Sequence, residues 1–148
     1  MTSDTLLQAL RTGGRKITVQ RRAVAAALAE GDGHATAETI WRQARVDLPS
    51  LSLRTVYQTL HELEAVGVLQ GIDVGRGSTR FDLTTGTHQH VVCDRCGRIE
   101  DVWIETPGVG LPPDAAAGFE VASINIVYRG TCPACAAAST DDRHDPGS

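Results

Sequence analysis

Four cysteines in two Cys-x-x-Cys pairs constrain this 148-residue chain more than any other feature. Cys93 and Cys96 form the first pair and Cys132 and Cys135 the second, with 35 residues between them. In a reducing compartment such a pattern points to tetrahedral zinc before disulfides, with a redox pair or an iron–sulfur cluster as the alternatives. Immediately ahead of the first pair, the run Thr87-His-Gln-His-Val-Val-Cys-Asp-Arg-Cys96 sets His88 and His90 in alternation. On an extended chain, residues i and i+2 share a side, so both imidazoles face the same way. Thiolates are soft ligands and imidazole nitrogens borderline ones, and the two sets favour different ions. The stretch is therefore a junction between a structural metal and a sensing metal.

A chain of this length can hold one ordinary domain or two small ones, and 41% hydrophobic content suffices for cores. Aromatic residues make up only 4%, so the cores must rely on Leu, Val, Ile and Ala, and a small second domain needs a staple. No apolar run approaches the roughly 18 residues of a membrane span. The opening Met-Thr-Ser-Asp-Thr-Leu-Leu lacks the basic and long apolar regions of a signal peptide, so a cytoplasmic location is expected. The net charge of -4 is unevenly spread. Residues 1–80 carry ten Lys/Arg against eight Asp/Glu, a net +2, and residues 81–148 carry four against ten, a net -6. Arg11, Arg15, Lys16, Arg21 and Arg22 gather the positive charge near the amino end, which fits a nucleic-acid-binding front and an acidic rear.

The front half reads as helices. Leu6, Leu7 and Leu10 give a first helix over about Asp4–Arg11 that ends at Gly13-Gly14. Thr18 caps a second, Ala-rich helix from about Val19 to Glu30, and Gly31-Asp-Gly33 ends it. Thr36 caps a third, Ala37 to about Val46, with Ile40, Trp41 and Ala44 on its apolar face. Ser52 caps a fourth over Leu53–Val66, with Val56, Leu60, Leu63 and Val66 inward and Gly67 closing it. Val68–Val74 and Ser78–Asp82 then flank Gly75-Arg76-Gly77 as a hairpin. This order suggests a winged helix-turn-helix whose fourth helix enters the major groove of DNA. Arg54 could read guanine or hold a phosphate, and Thr55 and Tyr57 suit phosphate or sugar contacts. Together, Arg15, Arg21, Arg22, Ser52, Arg54, Thr55, Tyr57 and Gln58 are the candidate DNA contacts.

The fold class expected is α+β: an N-terminal winged helix-turn-helix domain over 1–83, a hinge at 84–86, and a small α/β dimerisation domain over 87–136. A disordered tail, 137–148, would complete the chain, with His144 in it functionless. In the rear domain, a strand Gln89–Val92 leads into the first cysteine pair and Arg98–Trp103 leaves it. Pro107-Gly108 to Pro112-Pro113 reads as a loop, Asp114–Ala117 as at most one helical turn. Phe119–Tyr128 reads as a strand with Val121, Ser123, Asn125 and Val127 on one face.

Three segments resemble the ferric uptake regulator superfamily. They are Arg15-Lys-Ile-Thr-Val-Gln-Arg-Arg22, with Val19 where proline is more usual, Ser52-Leu-Arg-Thr-Val-Tyr57, and His88-Gln-His-Val-Val-Cys-Asp-Arg-Cys96. The resemblance runs from about Leu7 to Cys135 and implies a homodimeric, metal-dependent transcriptional regulator that binds a palindromic operator in double-stranded DNA. It implies a structural Zn2+ on Cys93, Cys96, Cys132 and Cys135, and a regulatory Fe2+ or Mn2+ on His34, Asp82, His88, His90 and Asp101. Asp101, where many iron-uptake repressors carry glutamate, resembles the peroxide-sensing branch, in which Fe(II) and hydrogen peroxide oxidise a ligand histidine, here His34 or His88. Between Asp101 and Cys132 there is no histidine, so the additional His-rich site of many iron and zinc regulators is not supplied. An iron- or manganese-responsive repressor of metal uptake is the alternative within the family. A non-haem iron enzyme and a zinc-ribbon interaction module are the alternatives outside it, and a non-enzyme is expected.

Overall fold

The computed structural model describes residues 1–75, 77–83, 86, 88–105, 110–121 and 124–141. The chain forms two compact units, Met1–Gly86 and Thr87–Ser148.

In the first unit, four helices begin on a hydroxyl that accepts a backbone N–H three residues on. These are α1 (Ser3–Thr12) on Thr2, α2 (Val19–Glu30) on Thr18, α3 (Ala37–Ala44) on Thr36 and α4 (Leu53–Ala65) on Ser52. Each such cap satisfies a donor the helix itself leaves orphaned, and is worth about 0.5–2 kcal/mol. The inward faces carry Leu6, Leu10, Val24, Leu28, Ile40, Val56, Leu60 and Leu63 into one buried cluster. Helix α3 stops short of the expected Val46, because the Val46 N–H turns to the Gln43 carbonyl three residues back (3.2 Å) and the chain tightens toward Pro49. Gly67 follows α4 at φ +81°, the left-handed conformation that lets a helix end without strain on a Cβ.

Strands β1 (Gln70–Asp73) and β2 (Thr79–Asp82) pair antiparallel, Gln70 opposite Asp82 and Asp73 opposite Thr79. The hairpin begins later than its apolar sequence suggests, since the Val68 N–H bonds to the Leu63 carbonyl at the end of α4 (3.2 Å). Arg76, in the expected turn, lies outside the described residues. A single bridge between Ala35 and Phe81 ties the turn before α3 to β2, with the Phe81 N–H on the Ala35 carbonyl at 3.0 Å.

The second unit is a three-stranded sheet in the order β4-β3-β5, from β3 (Gln89–Cys93), β4 (Ile99–Val102) and β5 (Val127–Gly130), followed by α5 (Pro133–Asp141). Strands β3 and β4 are antiparallel, β3 and β5 parallel. Two expectations are corrected here. The strand expected over Phe119–Tyr128 is only Val127–Gly130, because β3 offers five residues and the parallel ladder starts with His90 opposite Val127. Upstream, the described residues form no strand, and Phe119 is 78% exposed; Ser123 lies outside the described residues. The frayed tail expected after Cys135 is helical through Asp141, where the alanines of α5 continue a helix whose Ala136 N–H bonds back to the Cys132 carbonyl (2.9 Å). Asp114–Ala117 forms turns, with the Ala116 N–H on the Pro112 carbonyl at 3.1 Å. Thr84 and Thr85 of the expected hinge, Pro107-Gly108 and His144 lie outside the described residues. Among the described residues, no helix is long and apolar enough to cross a membrane.

A bidentate pair fastens α2 to α4: Arg21 Nε donates to Glu62 Oε2 at 2.8 Å and a terminal nitrogen to Oε1 at 2.9 Å. The hydrogen bond from Arg21 holds the Glu62 carboxyl below its ordinary value of 4.5, and Glu62 in turn raises Arg21. A carboxylate depressed in the folded state contributes stability above its unfolded value and loses it as pH falls through the folded one. Glu62→Gln should therefore cost about 1–3 kcal/mol at pH 7. Urea unfolding at pH 7 and pH 3 should show that difference shrinking in acid; an equal cost at both would contradict the assignment.

Candidate functional site

The four cysteines come from three elements. Cys93 ends β3, Cys96 lies in the turn before β4, Cys132 precedes α5 and Cys135 sits in its first turn. A knuckle turns the chain between Cys93 and Arg98: the Cys93 N–H bonds to the Arg98 carbonyl at 2.8 Å, and the Gly97 N–H to the Cys93 carbonyl at 2.9 Å. Gly97 takes φ +76° to close it. The Cys132 N–H meets Cys93 Sγ at 3.3 Å and the Cys135 N–H meets Cys132 Sγ at 3.5 Å. Arg95 fastens the knuckle to α5 through the Cys135 carbonyl and Ser139. All four sulfurs lie within 4.8 Å of one another.

Cys96 Sγ and Cys132 Sγ stand 3.7 Å apart. A disulfide needs about 2.05 Å, whereas four sulfurs about 2.3 Å from one tetrahedral ion stand about 3.8 Å apart. The donor set and its spacing thus fit zinc. Backbone N–H groups of Cys96 and Cys132 aimed at its sulfur pull the Cys93 thiol from 9.0 down to about 6. Hydrogen bonds with Cys132 and Cys96 instead push Cys135 up to about 12.

The expected regulatory ligands fall on both units. In the first, the Ala35–Phe81 bridge sets His34 beside Asp82 at the end of β2, with His34 Nε2 3.9 Å from Asp82 Oδ2. Asp32 Oδ1 accepts the His34 N–H at 3.1 Å and Arg80 donates to the His34 carbonyl at 3.3 Å. The Asp82 side chain is only 1% exposed, a costly place for a carboxylate without positive or metal partners. In the second, β3–β4 pairing puts His90 directly opposite Asp101. Asp101 Oδ1 lies 3.4 Å from Nε2 of both His88 and His90. Ligand atoms about 2.1 Å from a common ion stand about 3.0–3.4 Å apart, so Asp101 is spaced to share an ion with either histidine.

On the first unit, Arg15, Arg54, Tyr57, Gln58 and His61 line an open groove of about 500 Å³ along α4. Arg15, Arg22 and Arg54 are exposed and make no ion pair among the described residues. The other expected contacts are committed to the fold. Ser52 and Thr55 share a hydroxyl hydrogen bond of 2.8 Å in the α4 cap. The Tyr57 hydroxyl donates to Glu38 Oε1 at 3.2 Å, and Gln58 bonds Glu62. Arg21 spends its guanidinium on Glu62 and on the Lys16 carbonyl (2.8 Å), so it supports the face and does not present its charge there. Sequence reasoning missed Glu38 and Glu62, whose partners lie 19 and 41 residues away. It also missed Trp103, whose ring stacks on His88 with centroids 4.8 Å apart.

Zinc should co-purify at one equivalent per chain. Binding at such sites is worth roughly 10–16 kcal/mol, comparable to the stability of a whole small domain. Cys132→Ser, or prolonged chelation, should therefore release the metal and melt the second unit in circular dichroism. A zinc-free protein with its sheet intact would contradict the structural role.

The sequence pattern of the Ferric uptake regulator family matches residues 12–128. The "Peroxide operon regulator" of Bacillus subtilis (strain 168) is 33% identical over 132 residues, 87% of this chain and 90% of that protein. The "Peroxide-responsive repressor PerR" of Staphylococcus saprophyticus is 36% identical over 95 residues, a match spanning 64% of each. Among solved structures, the Helicobacter pylori ferric uptake regulator Fur superposes with a TM-score of 0.70 at 22% identity, covering 92% of this chain and 95% of that one. PerR from Streptococcus pyogenes gives a TM-score of 0.51 at 28% identity, with 90% and 92% covered. A match over residues 12–128, which take in α2, α3, α4, the two-stranded hairpin and the first cysteine pair, makes this protein a member of the ferric uptake regulator family.

Proposed function

We propose that this protein is a metal-dependent, DNA-binding repressor that senses hydrogen peroxide through oxidation of a ligand histidine and controls peroxide-defence genes. In this reading it acts in the cytoplasm as a homodimer on a palindromic operator, with zinc on the four cysteines. One Fe(II) or Mn(II) ion is held by His34, Asp82, His88, His90 and Asp101. Three imidazoles and two carboxylates suit those ions better than a soft cage would. Ligands drawn from both units make metal occupancy a way to select one arrangement of the chain, since a ligand shifts a population toward the form it binds better.

The observation that carries the peroxide reading is Asp101. Its carboxylate lies 3.4 Å from both His88 and His90, and its short side chain is aligned by β3–β4 pairing. The peroxide-responsive regulators of Bacillus subtilis and Staphylococcus saprophyticus, at 33% and 36% identity, support the same assignment. An iron(II) ion held by these residues would supply one electron to the peroxide O–O bond and recover it as the ring is oxidised. In net terms a ring C–H of His34 or His88 gains one oxygen, the imidazole losing two electrons, and the peroxide leaves as water. The altered ring is a poorer ligand, so the site opens and DNA is released.

On the DNA side, Arg54 and Arg15 line the α4 groove and are exposed, and Tyr57 is held by Glu38. Binding to the promoter upstream of its own gene should therefore be steeply salt-dependent. Arg54→Ala should weaken it about tenfold if the guanidinium makes one good base or phosphate contact. The deciding comparison loads Fe(II) or Mn(II) and adds a small dose of peroxide. Only the iron form should release DNA, and Asp101→Glu should keep metal-dependent binding yet blunt the release. If both metal forms hold DNA and Asp101→Glu behaves as the parent, the protein is an iron- or manganese-responsive regulator of metal uptake. Steady turnover of excess peroxide would instead make it an enzyme.

A further inference from the structure

The chain has two tryptophans, and they are placed very differently. Trp41 is built into the first unit, its indole N–H donating to the Leu51 carbonyl at 2.8 Å. Trp103 is 60% exposed, so little of its surface is used for packing a core. The aromatic contact it makes is with His88, at 4.8 Å between centroids and 25° between planes, an offset stack. The placement follows from register. Gln89 pairs with Val102 and His90 with Asp101, so the next position outward brings His88 against Trp103 on the same face of the sheet. Cross-strand neighbours on one face are the pairs that hold a two-stranded ladder in shape.

His88 lies just before β3, where a side chain would ordinarily swing in water, yet its side chain is 1% exposed. Two rings bracket it: Trp103 lies flat on one side, and His90 meets it edge-on at 4.6 Å and 65°. Between them the imidazole cannot turn freely about its Cβ–Cγ bond, and its Nε2 stays 3.4 Å from Asp101 Oδ1. We infer that Trp103 is a positioning residue that orders His88 for metal binding. This rests on the assignment of His88, His90 and Asp101 to one ion. A ligand ordered in advance loses little freedom when the ion arrives, and groups that orient a metal-binding histidine tune affinity and reactivity together.

The test uses the full-length protein in a Trp41→Phe background, in which Trp103 is the sole indole. Titration with Mn(II) should quench the Trp103 emission at one equivalent, because the paramagnetic ion binds beside the stacked ring. Affinity is read separately from the electron paramagnetic resonance of free Mn(II). Trp103→Ala and Trp103→Leu should bind about tenfold more weakly, and Trp103→Phe, which keeps a stacking ring, should stay within about threefold. In the metal-free protein, the His88 ring protons should lose their upfield ring-current shift in the Ala and Leu variants and keep most of it in Phe. Retained zinc and unchanged circular dichroism identify folded variants. Mn(II) affinity within about twofold of the parent in Trp103→Ala or Trp103→Leu would overturn the role of Trp103 while leaving the metal assignment standing. Mn(II) binding that leaves Trp103 emission unchanged would overturn the inference and place the ion away from His88. A parent protein that binds no Mn(II) would overturn both.

Discussion

Strand β3 has five residues, and nearly every one is committed. His90 and the adjoining His88 point to the face shared with Asp101, Cys93 points to the sulfur cluster at the other end, and β4 and β5 hydrogen-bond along its two edges. Slipping a strand by one residue sends every side chain to the opposite face, so the metal face depends on one register. That register is pinned by the knuckle, in which Cys93 and Arg98 share a backbone hydrogen bond and Gly97 turns the chain back. A unit this small, with many apolar residues on its surface, has little core to fix a register by packing alone. The cysteine knuckle thus fixes where His88, His90 and Asp101 stand, and the adjacency of the two motifs in sequence is its visible sign.

The front unit is fixed by different means. Its helices start on four hydroxyl caps and meet in a continuous aliphatic core. The polar interactions set the outward face. Glu62 draws Arg21 inward and Glu38 restrains Tyr57, while Arg11, Arg15, Lys16, Arg22 and Arg54 stay exposed. Of these, Arg15 and Arg54 line the groove along α4.

Much of this was legible in the sequence because its causes are local. Thr18, Thr36 and Ser52 mark helix starts by chemistry that acts over three residues, and the histidine alternation and cysteine spacing need only strand and turn geometry. What escaped depends on partners far away. Val121 to Val127 alternates like a strand, but a strand is made by its neighbour, and the ladder with β3 begins only at Val127. The segment after Cys135 reads as a loose small-residue tail, yet its alanines continue a helix started at Pro133. Arg21 looks like a DNA contact until Glu62, 41 residues on, is seen to hold it. Trp103 carries no motif at all, and its place beside His88 follows only once the β3–β4 register is known.

An iron-binding histidine that is itself the peroxide sensor would be caught by peptide mass spectrometry after one equivalent of peroxide. The protein is loaded with Fe(II) or Mn(II) without oxygen, treated, and digested. A gain of one oxygen is expected on the peptide containing His34 or His88 in the iron form, with the manganese form and the four cysteines unchanged. Oxidation confined to cysteine, or equal histidine oxidation with either metal, would contradict it.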